Sequence, residues 1–244
     1  MAQKWEFGGQ AGTSGYMGDL NPSNPVNFND WMVGAFAKYN FNTTWGVRAN
    51  IQRLNIYGDD KSSGNAWFRS RGLQFYSSLW ELSAVAEFDF FKIIDCNRGK
   101  RYWQPYVFAG IGTTVYDPKV RSGNEVYHLR NYATEQDKPH YGNLSMVLPF
   151  GVGIKYKPKG SWVYGLEVGY RITNTDYLDD VSGYYPDIAP QDDVITAQLA
   201  NPGDVATWLD RAGTRRGDGH PRDTYMQFNV RISYILFSGG CPIW

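Results

Sequence analysis

The chain has no surplus of charge, almost no cysteine and no long apolar run. Its 24 basic residues are matched by 24 acidic ones. A nucleic-acid partner calls for a basic excess, so none is expected here. No stretch approaches the roughly 18 apolar residues of a membrane-spanning helix. The mean hydropathy is negative, which suits a soluble protein and equally a membrane barrel with a polar lumen and polar loops. No H-E-x-x-H, Walker or G-x-S-x-G element occurs. The three histidines, His128, His140 and His220, fall in loop segments with no defensible Ser-His-Asp order. The expectation is a non-enzyme without metal or cofactor.

What the chain does have is a period of two. In Ser161–Tyr177, Trp162, Tyr164, Leu166, Val168, Tyr170 and Ile172 share one parity, and Glu167 and Arg171 sit on the other with Val163, Gly165, Gly169 and Thr173. Alternation of this kind is a strand with one apolar and one polar face. The same polarity returns along the chain. Met226, Phe228, Val230, Ile232, Tyr234 and Leu236 oppose Gln227, Asn229, Arg231 and Ser233. Trp80, Leu82, Ala84, Ala86, Phe88 and Phe90 oppose Glu81, Ser83, Glu87 and Asp89. Trp45, Val47, Ala49 and Ile51 oppose Arg48, Asn50 and Gln52. Met146, Leu148, Phe150, Val152, Ile154 and Tyr156 oppose Ser145, Gly151, Gly153 and Lys155. Weaker alternation runs from Trp31 to Tyr39, from Pro105 to Tyr116 and from Trp5 to about Thr13, making eight strands.

Connections alternate in length. Residues 40–44 and 157–161 are tight turns and 92–102 is moderate, whereas 15–30, 58–74, 117–143 and 176–222 are long and polar. Short turns on one rim and long loops on the other predict an all-β fold: one eight-stranded antiparallel transmembrane barrel of the bacterial outer membrane, over residues 1–244. Strands of about 9–11 residues cross the hydrocarbon at a tilt. An even strand count puts both termini on the periplasmic side, with long extracellular loops. Aromatics make up 16% of the chain and crowd the strand ends. Tyr39, Phe41, Trp45, Phe90, Phe91, Trp103, Tyr156, Trp162 and Phe237 mark the turn side; Trp31, Tyr76, Tyr116, Tyr170 and Tyr177 mark the loop side. Two girdles at the lipid headgroups are expected. The chain opens with its first strand and shows no signal peptide, as a mature exported chain would.

The polar parity points into the lumen and carries Arg48, Glu81, Glu87, Asp89, Glu167, Arg171 and Arg231. An eight-stranded barrel is just wide enough for side chains to fill it. These groups are expected to form an ion-pair plug, with Arg48 beside Glu87 and Glu167 beside Arg231, and no conducting pore. The longest loop is acidic, with Asp176, Asp179, Asp180, Asp187, Asp192 and Asp193. Such oxygens suit calcium, but the spacing is not that of an EF-hand, so a solvated or locally hydrogen-bonded loop is expected. In that loop, 194–199 and 205–209 are expected as short helices over the barrel mouth. The tripeptide Arg216-Gly217-Asp218 is too short to argue adhesion. The two cysteines, Cys96 in the 92–102 turn and Cys241 in the tail 238–244, both fall on the periplasmic rim, where disulfides persist. They pair with each other or with another protein; the spacing is not a metal motif.

Several blocks carry a family resemblance. They are Gly18-Asp19-Leu20-Asn21-Pro22, Pro149 through Tyr156, Leu166 through Arg171, and above all Thr175-Asp176-Tyr177-Leu178-Asp179-Asp180-Val181-Ser182-Gly183, with Arg216-Gly217-Asp218 and Asp223, Tyr225 and Met226 following. Over essentially its whole length the chain resembles the PorG family of the type IX secretion system of Bacteroidota. The resemblance implies a non-catalytic outer-membrane barrel that ties a periplasmic ring, built from a PorK-type lipoprotein and a PorN-type protein, to the membrane near the translocon and other outer-membrane components. The long 92–102 turn and the tail past Phe237 make Cys96 and Cys241 the expected contacts with that ring. The alternatives are a stand-alone structural or adhesive barrel of the OmpA type, a lipid-modifying enzyme, and a soluble ligand-binding barrel with the apolar parity inside.

Overall fold

The computed structural model describes residues 5–21, 28–91, 102–136, 140–158, 160–187, 193–203, 208–217 and 219–236. Its strands are β1 (Trp5–Met17), β2 (Asp30–Asn40), β3 (Trp45–Asp59), β4 (Gln74–Asp89), β5 (Trp103–Val115), β6 (Pro118–Ser122), β7 (Glu125–His128), β8 (Leu144–Tyr156), β9 (Trp162–Thr173) and β10 (Thr224–Leu236). Eight of them, β1–β5 and β8–β10, close an antiparallel barrel. The first strand pairs with the last from Trp5↔Leu236 to Met17↔Thr224, and β3 pairs with β4 from Trp45↔Phe88 to Asp59↔Gln74. No sheet edge therefore remains within the barrel. The hairpin β6–β7 lies in the long loop after β5 and adds to β4 through Tyr76↔Lys119 and Ser77↔Pro118.

Toward the short-turn rim the apolar parity faces outward and the charged parity inward. Leu82 and Ile111 are each 61% exposed, Val152 56%, whereas Arg48, Glu81 and Glu87 are buried. In water that outer surface would aggregate; in a bilayer it is the lipid face. Aromatic pairs ring its lower edge: Trp5–Tyr39, Trp45–Phe88, Trp103–Tyr156 and Trp162–Tyr234, with centroids 4.6–5.2 Å apart. The soluble-barrel alternative, with apolar parity inside and charges outside, is thereby reversed. Phe237, assigned to this girdle, lies outside the described residues. On the loop side Trp31 and Trp80 are exposed, but Tyr116 and Tyr177 are buried, so they pack a core rather than a girdle.

Above the belt the polarity changes sign. Along β3 the inward residues turn from Arg48, Asn50 and Gln52 to Leu54 and Ile56, while the outward ones turn from Val47, Ala49 and Ile51 to Arg53, Asn55 and Tyr57. On β4 the switch falls between Glu81 and Leu79. The strands thus run past the membrane: β1 reaches Met17 rather than Thr13, β3 reaches Asp59, and β4 starts at Gln74. The upper barrel holds an apolar core of Met32, Leu54, Ile56, Phe75, Leu79 and Val147, on which the loops lay Leu20, Leu73, Leu129, Leu178, Val181 and Leu199. Burying one such leucine fully contributes about 1.5–3 kcal/mol.

The loops are structured by local signals. Helix α1 (Ala66–Arg71) starts at Asn65, whose side chain accepts from the Trp67 amide, and stops at Gly72 with φ 67°. Helix α2 (Val194–Ala200) starts at Asp193, whose carboxylate accepts from the Thr196 amide. It covers the mouth over the span expected for it, and α3 (Trp208–Arg211) follows. Most of the 92–102 turn and all of the tail 238–244, and with them Cys96 and Cys241, lie outside the described residues.

Candidate functional site

Two polar constructions occupy the barrel, one in the membrane lumen and one in the cap. Glu87, on β4, is the hub of the first. Its Oε2 is 2.6 Å from Lys38 Nζ and 2.8 Å from Lys155 Nζ; its Oε1 is 2.8 Å from Arg48 Nε and 3.3 Å from Arg231 Nη1. Glu167 Oε2 lies 2.9 Å from both Arg48 Nη2 and Arg231 Nη1 and accepts from the Tyr106 hydroxyl at 2.8 Å. Asp89 holds Lys155 at 2.6 Å. Above the hub, Glu81 accepts from the Tyr225 hydroxyl at 2.7 Å and sits 3.6 Å from Arg171 Nε. Near the turn side, Glu6 accepts from the Ser233 hydroxyl.

Both pairings named from sequence, Arg48 with Glu87 and Glu167 with Arg231, are thus in contact. All seven lumen residues named there are buried. Lys38, Lys155 and Glu6 complete the set and were missing from it. Within the strands, five buried cations (Lys38, Arg48, Lys155, Arg171, Arg231) face five buried carboxylates (Glu6, Glu81, Glu87, Asp89, Glu167). Aromatic faces fill the remaining space: Arg231 lies 4.1 Å from the Phe36 centroid, Lys155 4.2 Å from that of Tyr106, and Arg48 5.2 Å from that of Phe108. Room for Tyr106 comes from Gly153, where an added Cβ would stand 2.4 Å from the ring.

The second construction ties the loops together. Arg216 donates through Nη1 to the backbone carbonyl of Asp180 and lies 3.3 Å from Glu135 Oε1 and 3.4 Å from Asp180 Oδ2. Glu135 in turn accepts from the Ser182 and Gly183 amides at 2.8 and 3.0 Å. Asp180 also accepts from the Tyr141 hydroxyl at 2.6 Å and holds φ 71°. Burial pushes its carboxyl up to about 6, against the pull of Arg216. Asp179 accepts from Tyr16 at 2.5 Å and from the Val181 amide at 2.9 Å. Its own burial, then the neighbouring Asp223 and Asp19, push it well above the ordinary carboxylate range. Leu178, the apolar member of the same block, is fully buried, and its amide donates to Asp223 at 2.9 Å. The block at 176–180 is therefore folded into the cap.

One carboxylate oxygen each from Asp19, Asp176 and Asp223 fall within 4.8 Å of one another, a spacing that one cation would fit. Each of the three also engages protein groups, so the fold gives the cluster a structural use. Arg216 is buried, which keeps the Arg216-Gly217-Asp218 sequence from presenting its guanidinium to a receptor. Sequence reasoning did not single out Asp60, Arg71 or Glu135 as members of the cap. A buried Arg in a polar loop has no periodic signature, and nothing local marks these residues.

Among solved structures, the chain is similar to neisserial surface protein A, with 10% identity, 97% of this chain and 99% of that chain covered, and a TM-score of 0.45. It is similar to the attachment invasion locus protein Ail of Yersinia pestis, with 10% identity, 97% and 100% covered, and a TM-score of 0.46. It is also similar to the outer membrane protein OprG of Pseudomonas aeruginosa, with 11% identity, 97% of each chain covered, and a TM-score of 0.46. At such identities these likenesses say nothing of partners or ligands. No curated protein matches the chain. A family model described as a domain of unknown function (DUF6089) matches residues 1–197. The chain belongs to the DUF6089 family.

Proposed function

We propose that this protein is a non-catalytic outer-membrane component of a type IX secretion system. In this reading it anchors a periplasmic ring of a PorK-type lipoprotein and a PorN-type protein beside the translocon. The observation that carries an anchoring rather than a conducting role is the double closure of the barrel. Glu87 and its cations fill the lumen, and the Arg216 and Arg71 contacts hold loops across the mouth. Such a barrel offers its rims and its wall to partners, not a passage. The secretion assignment itself is supported by the sequence blocks around Asp176–Gly183 and Leu166–Arg171, which resemble the PorG family. The orientation adopted places the long loops outside the cell and both termini in the periplasm, so that the turn holding Cys96 and the tail holding Cys241 meet the ring.

A mild-detergent pull-down of the tagged protein from its native outer membrane, resolved on reducing and non-reducing gels with mass spectrometry, tests this. Recovery of the ring lipoprotein and its partner supports the anchor. A reducible adduct through Cys96 or Cys241 would locate the contact. Replacing both cysteines with serine while ring attachment persists removes the covalent version. Recovery of the barrel alone, under conditions that keep other membrane complexes intact, would leave a stand-alone structural or adhesive barrel.

A further inference from the structure

The outer wall of the membrane belt is apolar, with one exception. Among the described residues, Arg53 is the one charged side chain on the outward face of the barrel strands between the two aromatic edges. Glu6, Lys38, Arg48, Glu81, Glu87, Asp89, Lys155, Glu167, Arg171 and Arg231 are all buried inside. Arg53 is exposed on β3, opposite Trp80 on β4 and Val33 on β2. Its guanidinium carbon lies 5.9 Å from the Trp31 centroid and 5.8 Å from that of Trp80, and these two rings are its partners. Each indole is about half exposed, 47% and 52%.

Its depth in the membrane follows from the strand. Arg53 stands eight residues above Trp45, the girdle residue at the turn end of β3. A rise of about 3.3 Å per residue and a tilt of about 40° put it roughly 20 Å above that girdle. The apolar band of such barrels is about 25 Å tall, so Arg53 sits just beneath the loop-side interface. The sign change along β3, from Ile51 outward to Leu54 inward, marks the same level independently. A charge on the lipid face is costly in mid-membrane and nearly neutral at the interface. The guanidinium carbon lies over both indole rings, and among the described residues its N–H edges meet no hydrogen-bond or ion-pair partner. Those edges match the oxygens of a phosphate, which arginine binds in a planar, two-pronged geometry. At this depth the phosphate available is one carried by a lipid.

We propose that Arg53, clasped between Trp31 and Trp80, binds the phosphate of a membrane lipid at the loop-side interface. The site requires the membrane-spanning barrel and is independent of any role in secretion.

The test uses the full chain in detergent, with native mass spectrometry against phosphatidic acid and against diacylglycerol of the same acyl chains, which lacks only the phosphate. Wild-type protein should retain phosphatidic acid in preference to diacylglycerol. Arg53→Gln should lower the retained phosphatidic acid about tenfold, the scale of one lost charge-assisted contact, and leave diacylglycerol unchanged. Arg53→Lys should be intermediate. Arg53→Gln removes a charge from the lipid face, so the variant should keep its heat-modifiable barrel mobility on gels. Equal retention by wild type and Arg53→Gln would overturn the proposal, as would equal loss of both lipids. Competition by inorganic phosphate as strong as that by phosphatidic acid would do the same, since it would make this a free-anion site.

Discussion

Arg71 grips Asp60 with two parallel hydrogen bonds, Nε to Oδ2 at 2.6 Å and Nη2 to Oδ1 at 2.8 Å, both side chains being buried. The same guanidinium donates to the carbonyl of Asp19 at 2.9 Å and to that of Arg216 at 2.6 Å. One side chain therefore joins three loops, those after β1, β3 and β9. Removing one partner of a buried pair strands the other charge, at a cost of about 3–5 kcal/mol. Arg71→Ala is expected to open the cap while the membrane belt stays folded. Arg71→Lys should not restore it, because an ammonium cannot reproduce the fork. Hydrogen–deuterium exchange should rise in residues 60–73 and 176–187 and stay low in the lower halves of β9 and β10.

The lumen makes a complementary prediction. Glu87 faces four cations, and no other described carboxylate reaches all of them. Glu87→Ala leaves four buried cations to share Asp89 and Glu167, a buried charge unbalanced, and is expected to destabilise the barrel by about 3–5 kcal/mol. Glu87→Gln keeps the volume but loses the charge, and should fall between that variant and wild type. Urea titration of the folded, heat-modifiable band gives both values. Losses confined to the cap variants, with Glu87→Ala neutral, would mean that the plug adds nothing to stability.

The belt was legible because most strands mark both faces, with apolar residues for lipid and polar or charged ones for the lumen; β5, which carries no charge, was marked more weakly. Legibility ends where the marking reverses. At Gln52 and Arg53 the alternation continues but its sign flips, and a reading that follows the apolar parity stops the strand there. Lys155 shares its parity with Gly151 and Gly153, so its inward position was available from the pattern. Lys38 was harder, because Gly34, Ala35 and Ala37 blur the contrast around it. The cap is a different case. Arg216 and Glu135 are 81 residues apart and meet only once the barrel brings their loops together. No periodicity encodes that contact, so nothing in the acidic loop sets Asp179 and Asp180, which are buried, apart from Asp187 and Asp193, which are exposed.

Those buried carboxylates give the cap a pH dependence. The Asp180 carboxyl is held at about 6 in the folded cap, against an ordinary 3.8. The folded state therefore binds the proton more tightly, and stability falls as pH rises between those values. At about 1.36 kcal/mol per unit the decline amounts to roughly 3 kcal/mol. Asp179 is shifted in the same direction. Exchange in residues 176–187, corrected for intrinsic rates, should reveal a tighter cap at pH 4 than at pH 6. Asp180→Asn keeps the hydrogen bonds to Tyr141 and Arg216 within reach and should flatten that slope. A cap that tightens with rising pH would contradict the assignment.

The packing of Tyr106 over Gly153 gives a prediction about how the lumen is filled. A Cβ at Gly153 would stand 2.4 Å from Tyr106 Cζ and 2.5 Å from its hydroxyl. That hydroxyl is not a loose end. It donates to Glu167 at 2.8 Å and accepts from Arg231 at 2.8 Å, inside a lumen already crowded by Phe36 and Phe108. The ring can move aside only by breaking both contacts. Gly153→Ala is expected to cost about 1–3 kcal/mol, the range for overpacking a filled interior. In a Tyr106→Ala background the same substitution meets open space and should cost much less. A double-mutant cycle measured by urea unfolding then returns a coupling of about 1 kcal/mol or more, as expected for residues in contact. Additive effects would mean that the glycine serves strand twist and not the ring, and that Tyr106 is held by its hydrogen bonds alone.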